Sequence, residues 1–205
     1  MTGERWRAVV VAGHTGDSRT VRAALADADP VMRELALGAM DRLGILDHIV
    51  VVAALADPDS RVRRRAASLA GTRPGVSLLA ALDDTDATVV EMAAWACGEQ
   101  ETVTDVVLQR LIALATTADD ALVREAAVAA LGAIGDERGL TAILAGCIDK
   151  PAVRRRAVLA LSPFDDPAAD AALQTALTDR DWQVRQAAED VLRASGATID
   201  IAVQP

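Results

Sequence analysis

Residues 120–135, DALVREAAVAALGAIG, carry the clearest apolar stripe in the chain. Val123, Ala127, Ala130 and Leu131 recur at i, i+4, i+7 and i+8, the spacing of a helix with one buried face. Asp120 stands where a carboxylate can accept a free first-turn N–H. Gly135 stands where the chain must turn left-handed to leave the helix. The stretch predicts one capped helix of about four turns.

The same pattern recurs along the whole chain. Taking Val123 as an anchor, its counterparts are Met32, Val62, Val89, Val153 and Val184. Successive anchors stand 30, 27, 34, 30 and 31 residues apart, the differences between those numbers. The residue after each anchor is Arg33, Arg63, Val90, Arg124, Arg154 and Arg185. Four after it comes alanine every time, at Ala36, Ala66, Ala93, Ala127, Ala157 and Ala188. Five before it stand Asp27, Asp57, Asp84, Ala118, Ile148 and Asp179. A period near 30 built from helical units predicts an all-α, right-handed α-solenoid of about six helical hairpins.

The predicted order is an N-terminal capping half-repeat over residues 1–16, six repeats over 17–195 and a tail over 196–205. The inner helices are expected at 30–43, 60–71, 87–99, 120–135, 151–161 and 182–194. Outer helices are expected at 18–26, 47–56, 76–82, 103–115, 138–148 and 168–177. Ile199, Ile201 and Val203 alternate in the tail, which either docks as an extended strand or is loose. In the last inner helix Glu189 and Asp190 replace small or apolar residues. A polar outer surface on a terminal repeat ends such a stack without polymerisation.

Composition sharpens this in two ways. The chain has three tryptophans, one phenylalanine and no tyrosine, so its core is alanine, valine and leucine. Small side chains let neighbouring helices approach closely. The net charge is −9, with 21 basic against 30 acidic residues. Phosphate backbones are bound by neutralising Lys and Arg, so general nucleic-acid affinity is not expected. Cys97 and Cys147 sit at apolar helix positions without a CxxC spacing, which reads as two reduced, buried thiols. No apolar run has the length of a signal core or a membrane span, and a cytoplasmic protein is expected.

The anchors, with aspartate six residues before arginine at Asp27/Arg33, Asp57/Arg63 and Asp179/Arg185, resemble the HEAT-repeat family. The short period and the phrase VREAAVAALGAIG look most like its bilin-lyase-like branch. The resemblance covers roughly residues 18–195. It implies that inner helices line a concave, partner-binding face. It also implies a ladder of Asp–Arg pairs joining neighbouring turns, through Asp27, Arg33, Asp57, Arg63, Arg124, Arg154, Asp179 and Arg185. Val90, Ala118 and Ile148 depart from that pattern. The ladder is therefore expected to break around the third, fourth and fifth repeats, with Asp149 able to replace Ile148 by a one-residue shift.

The residues offer no catalytic constellation. Only His14 and His48 are present, and no Ser-His-Asp, Cys-His or His-rich metal set can be built from them. No cofactor is expected and the chain reads as a non-enzyme. The triplets Arg63-Arg64-Arg65 and Arg154-Arg155-Arg156 read as structural, the first of each in the ladder, the second outward, the third against the core with its stem packed. Trp95 is the residue that departs most from its equivalents, Gly38, Ser68, Ala129, Leu159 and Asp190. Flanked one turn away by Glu91 and Glu99, it is either an open hot spot or folded down over its alanine-rich neighbour. Trp6 and Trp182 read as end-packing. The expected function is a protein-interaction scaffold whose groove includes Glu91, Trp95, Glu99, Glu125, Arg155 and Leu159. Its expected partner is another protein, presenting a basic or amphipathic segment. Prosthetic-group handling of the bilin-lyase type is the alternative, and DNA interaction comes third.

Overall fold

The computed structural model describes residues 2–196, so the tail from Ala197 onward lies outside the described residues. Among the described residues there are twelve α-helices and no strand. The chain divides into two compact units, Met1–Gln100 and Glu101–Pro205. Each is a stack of helical hairpins, as an α-solenoid requires.

The first unit contains α1 (Thr2–Thr15), α2 (Ser18–Ala24), α3 (Pro30–Arg42), α4 (His48–Leu55), α5 (Ser60–Ala70) and α6 (Ala87–Glu99). Helices α1, α3, α5 and α6 pack side by side as an inner row, while α2 and α4 pack on α3 and α5 from the outer side. The second unit contains α7 (Asp105–Thr117), α8 (Ala121–Ile134), α9 (Leu140–Gly146), α10 (Pro151–Ala160), α11 (Pro167–Ala176) and α12 (Trp182–Ala194). Here α8, α10 and α12 form the inner row and α7, α9 and α11 the outer.

Local sequence sets the helix ends. Asp29, Asp59, Asp86, Asp120 and Asp181 each accept the N–H of the second residue after them, capping α3, α5, α6, α8 and α12. Such a cap stabilises a helix by about 1 kcal/mol. Helix α10 begins with Pro151 after Lys150 and lacks a side-chain cap. Gly135 closes α8 in the left-handed conformation at φ 68°, as its position predicts.

The inner row packs through its small residues. Every alanine four after an anchor is fully buried, beside anchors that are themselves buried. In the second unit a Cβ placed on Gly132 would stand 2.5 Å from the Ala160 Cβ, so α8 and α10 touch there almost backbone to backbone. In the first unit Leu37, Val62, Ala66 and Leu69 form one core cluster, with Leu25, Val50 and Leu55 packed against it.

One expected helix is absent. Residues 76–82 do not form an outer helix; the segment is a turn and an irregular strip ending in a 3-10 turn at Ala81–Asp83. Val76, Leu78 and Leu82 are all buried. Val76 and Leu78, two apart, both point inward, which an extended strip allows and a helical face does not. The outer segment at 138–148 is also split, into a 3-10 turn at Glu137–Gly139 and the short α9.

Arginine–aspartate rungs tie successive loops within each unit. Arg33 donates through Nε and Nη2 to both carboxylate oxygens of Asp57, at 2.8 and 2.7 Å. Arg63 does the same to Asp84, at 2.6 and 2.8 Å. Arg124 does so to Asp149, and Arg154 to Asp179. Each of these arginines also donates through Nη1 to a carbonyl of its own preceding loop, such as Arg63 to Asp57 O at 2.9 Å. Asp57, Asp84 and Asp179 also accept the N–H two residues on, which shapes the loop before the next helix. Asp149 accepts instead from Lys150 N–H, one residue on.

The breaks at Val90 and Ala118 are where they were expected, and Asp149 stands in for Ile148 by the expected one-residue shift. Asp84, absent from the expected ladder, completes a rung with Arg63. In the first unit the ladder ends at Asp84, because α6 carries Val90 in the arginine position. In the second it starts at Arg124, because Ala118 occupies the aspartate position. The arginine that pairs with Asp27 is Arg5, on the capping helix α1. Arg185 reaches only the Asp179 carbonyl, at 2.7 Å, and has no carboxylate rung among the described residues.

Candidate functional site

The inner-row helices present their remaining positions outward. On α6, Val89, Val90, Ala93, Ala94, Ala96 and Cys97 are buried. The opposite stripe is Glu91, Trp95 and Glu99, spaced at i, i+4 and i+8. Glu91 is half-buried and Glu99 exposed, while Trp95 keeps 45% of its surface open. An indole this open, in a helix that otherwise buries small residues, is an apolar platform held between two carboxylates.

In the second unit Glu125 lies on α8, with Arg155 and Leu159 one turn apart on α10. Helices α8 and α10 are packed neighbours. Arg155 is half-buried and Leu159 exposed. Glu125 is engaged: its Oε1 lies 3.7 Å from Arg156 Nε. The expected groove residues thus divide between the units, with Glu91, Trp95 and Glu99 in the first and Glu125, Arg155 and Leu159 in the second.

The two arginine triplets are mostly absorbed by structure. Arg63 and Arg154 form rungs. The Arg65 guanidinium lies over α3, with Nη2 2.9 Å from where a Gly38 Cβ would be. Arg156 faces Glu125. Arg64 is exposed and Arg155 half-buried, so neither triplet presents three free cations. Gly38 is small for a visible reason: a side chain there would displace Arg65.

The rungs dominate the electrostatics. The carboxyls of Asp57, Asp84, Asp149 and Asp179 are held below their usual range, chiefly by the bonds from Arg33, Arg63, Arg124 and Arg154. Burial pushes the Cys97 thiol up to about 12 and the Cys147 thiol up to about 11. Among the described residues no group of three or more His, Cys, Asp or Glu side chains is placed to hold a metal ion.

Of the two tryptophans expected to pack the ends, Trp182 departs from that reading. Trp182 is 64% exposed at the first position of α12. Trp6 is also open on one side, though its Nε1 donates to Asp29 Oδ2 at 3.2 Å. Sequence position alone placed both at the ends of the stack, but gave no measure of what would cover them. On α12 the polar substitution is tied within the helix: Asp190 accepts from Gln186 and Arg193.

A family model of HEAT repeats matches residues 49–132, 75–151 and 119–193. No curated protein matches the chain. Among solved structures, E. coli YibA is similar at 19% identity and a TM-score of 0.63, over 80% of this chain and 64% of its own length. An engineered protein is similar at 21% identity and a TM-score of 0.62, over 90% of this chain and 99% of its own. A designed armadillo repeat protein, solved in complex with peptide (KR)4, is similar at 16% identity and a TM-score of 0.61, over 86% of this chain and 98% of its own. At these identities the structures speak to the fold alone, and all three share stacked helices with this chain. Since the family matches run from residue 49 to residue 193, the chain belongs to the HEAT-repeat family.

Proposed function

We propose that this chain is a non-enzymatic scaffold that binds another protein on the outward stripe of its inner-row helices. The observation that carries the reading is Trp95, open to solvent between Glu91 and Glu99 on a helix otherwise packed with small residues. Aromatic anchors of this kind dominate binding energies at protein interfaces. Carboxylates on either side of an indole suit a segment with Lys or Arg beside an apolar residue, because the ring face also attracts cations. The designed armadillo protein with its (KR)4 peptide is a parallel for such a ligand on a related architecture. In the second unit Arg155 and Leu159 make a smaller outward stripe that is basic rather than acidic, with Glu125 facing Arg156, so the reading rests on the first unit.

Within the family, repeat length and the phrase around Val123 support a likeness to the bilin-lyase-like branch. That likeness is one of repeat form and brings no prosthetic-group chemistry with it. DNA interaction receives less support, since the net charge is −9 and the leading arginine of each triplet is held in a rung. A cytoplasmic site of action goes with the free thiols Cys97 and Cys147. No helix among the described residues is long and apolar enough to cross a membrane.

The test is capture of partners from the native cell by the intact protein and by Trp95→Ala. The variant is expected to melt within a few degrees of the parent and to lose binding by about 30-fold or more, the scale of an interface hot spot. Retrieval of the same proteins at the same affinity by Trp95→Ala would refute the assignment.

A further inference from the structure

Arg185 is a rung arginine with only part of its bonds. Its Nη1 donates to the Asp179 carbonyl at 2.7 Å, as those of Arg33, Arg63 and Arg124 do to Asp27, Asp57 and Ala118. In those three the same clamp leaves Nε and Nη2 to meet an aspartate of the next loop. Arg185 carries the clamp, half-buried, with no carboxylate on its other edge among the described residues. The acids around it are engaged elsewhere. Asp179 takes Arg154, Asp181 caps α12, and Glu189 and Asp190 meet Arg193. A planar fork held in this way matches both oxygens of a carboxylate.

Past Asp190 the sequence holds one further acidic side chain, Asp200, in the tail ATIDIAVQP over 197–205. Chain geometry lets it arrive. Gly196 follows α12 in the left-handed conformation at φ 75°, as Gly44 and Gly135 do at 68° after α3 and α8, where the chain turns back to α4 and α9. Arg185 lies about 14 Å down the helix axis from Ala194. The four residues from Gly196 to Asp200 span about 13 Å when extended, and the two side chains make up the remainder. Rungs elsewhere separate arginine from aspartate by 24, 21, 25 and 25 residues. The separation here is shorter, and an extended strip covers a given distance in about half the residues a helix needs. The shortest of the four, Arg63 to Asp84, is the one whose return runs through an irregular strip. That strip buries Val76 and Leu78, two apart, and the tail repeats the spacing in Ile199, Ile201 and Val203.

The other rungs select an aspartate for this fork, and tethering selects which one. A carboxylate on a short tether meets its site at an effective concentration on the order of millimolar, ahead of a free acidic segment. We propose that the tail returns along α12 and that Asp200 closes the open rung on Arg185, so that the ladder ends on the chain's own carboxylate. The residues after Asp200 then reach the first turn of α12, where Trp182 is 64% exposed, and cover its indole. This closure belongs to the second unit and is independent of the Trp95 stripe.

The test is paramagnetic broadening in the full chain, with a spin label on Gln204→Cys. Cys147→Ala is included and Cys97 is fully buried, so the label goes to residue 204 alone. The Arg185 Nε–H, the Trp182 Nε1–H and the backbone N–H groups in the first two turns of α12 are expected to lose at least half their intensity. In Asp200→Asn and in Arg185→Gln that loss is expected to shrink at least threefold, while Asp200→Glu keeps it. Asp200→Asn alters a residue beyond the last helix, so the stack folds whichever way the result falls. Absence of broadening on α12, or broadening unchanged by Asp200→Asn, overturns the closure. Equal broadening in a mixture of spin-labelled and separately isotope-enriched copies would make the occupant the tail of a second copy, and would overturn it as well.

Discussion

Arg63 gives the ladder its sharpest test. Its guanidinium holds Asp84 by two bonds of 2.6 and 2.8 Å and its own loop by bonds to the carbonyls of Asp57 and Pro58. The two side chains keep only 16% and 8% exposure. Arg63→Ala leaves the Asp84 carboxylate with the Asp86 amide as its remaining hydrogen-bond donor in the rung. Removing one member of a buried pair costs about 3–5 kcal/mol. Water can enter the vacated space at this partly open edge, which puts the expected loss near the lower figure, about 3 kcal/mol. Arg63→Lys keeps the charge but loses the planar fork that meets both oxygens, and should cost about 1.5–2 kcal/mol. Asp84→Ala should resemble Arg63→Ala. The double variant should cost less than the two singles together by about 2 kcal/mol, because the second change removes a partner already lost. Urea unfolding followed by circular dichroism at 222 nm measures all four, read as midpoint shifts at constant m. A loss below 1 kcal/mol for Arg63→Ala, or strict additivity of the singles, would show that the rung is a surface pair of no consequence.

The same rungs set the response to acid. The depressed carboxyls of Asp57, Asp84, Asp149 and Asp179 stabilise the fold fully above the unfolded value of about 3.9. That contribution is lost as pH falls through the lower folded values, so melting temperature should drop steeply below about pH 4, and less steeply in Arg63→Ala. Gly132→Ala drives a methyl group against the Ala160 backbone and should cost about 2–3 kcal/mol. Gly71→Ala meets Ala96 at 3.3 Å and should cost distinctly less in the same unfolding assay. With its thiol raised to about 12 by burial, Cys97 should resist a disulfide reagent at pH 8 until urea opens the fold; prompt labelling of the native protein would contradict its placement.

The inner helices were legible because several signals coincide in each. Helix α12, Trp182–Ala194, has its cap at Asp181, its anchor at Val184 and its alanine at Ala188, and its predicted bounds match the observed ones. The segment 76–82 lacked such agreement. It offered apolar residues after Pro74 and Gly75, a pattern that a helix and a buried irregular strip share. The pairing of Arg63 with Asp84 was within reach, since Asp84 holds the same place before its anchor as Asp57. What concealed it was Val90, a loss in the next arginine position that says nothing about the preceding aspartate. Exposure of Trp95 and Trp182 was harder to read. Openness depends on which side chains of neighbouring helices reach over, and the repeat register does not encode that.

The rungs bear on how such a chain can change its length. Each aspartate that receives an arginine also shapes its own loop, and each arginine holds its own loop as well as the next. In the first unit the Arg33 and Arg63 joints are alike, so their parts are interchangeable. Excising residues 57–83 would bring Arg33 up to Asp84 and Asp86, the same two carboxylates in the same spacing as Asp57 and Asp59. Duplication would likewise present a new aspartate to an old arginine. The outward positions of the helices are then free to drift in sequence, Trp95 among them, while the joint preserves a common gauge along which repeats can be gained or lost.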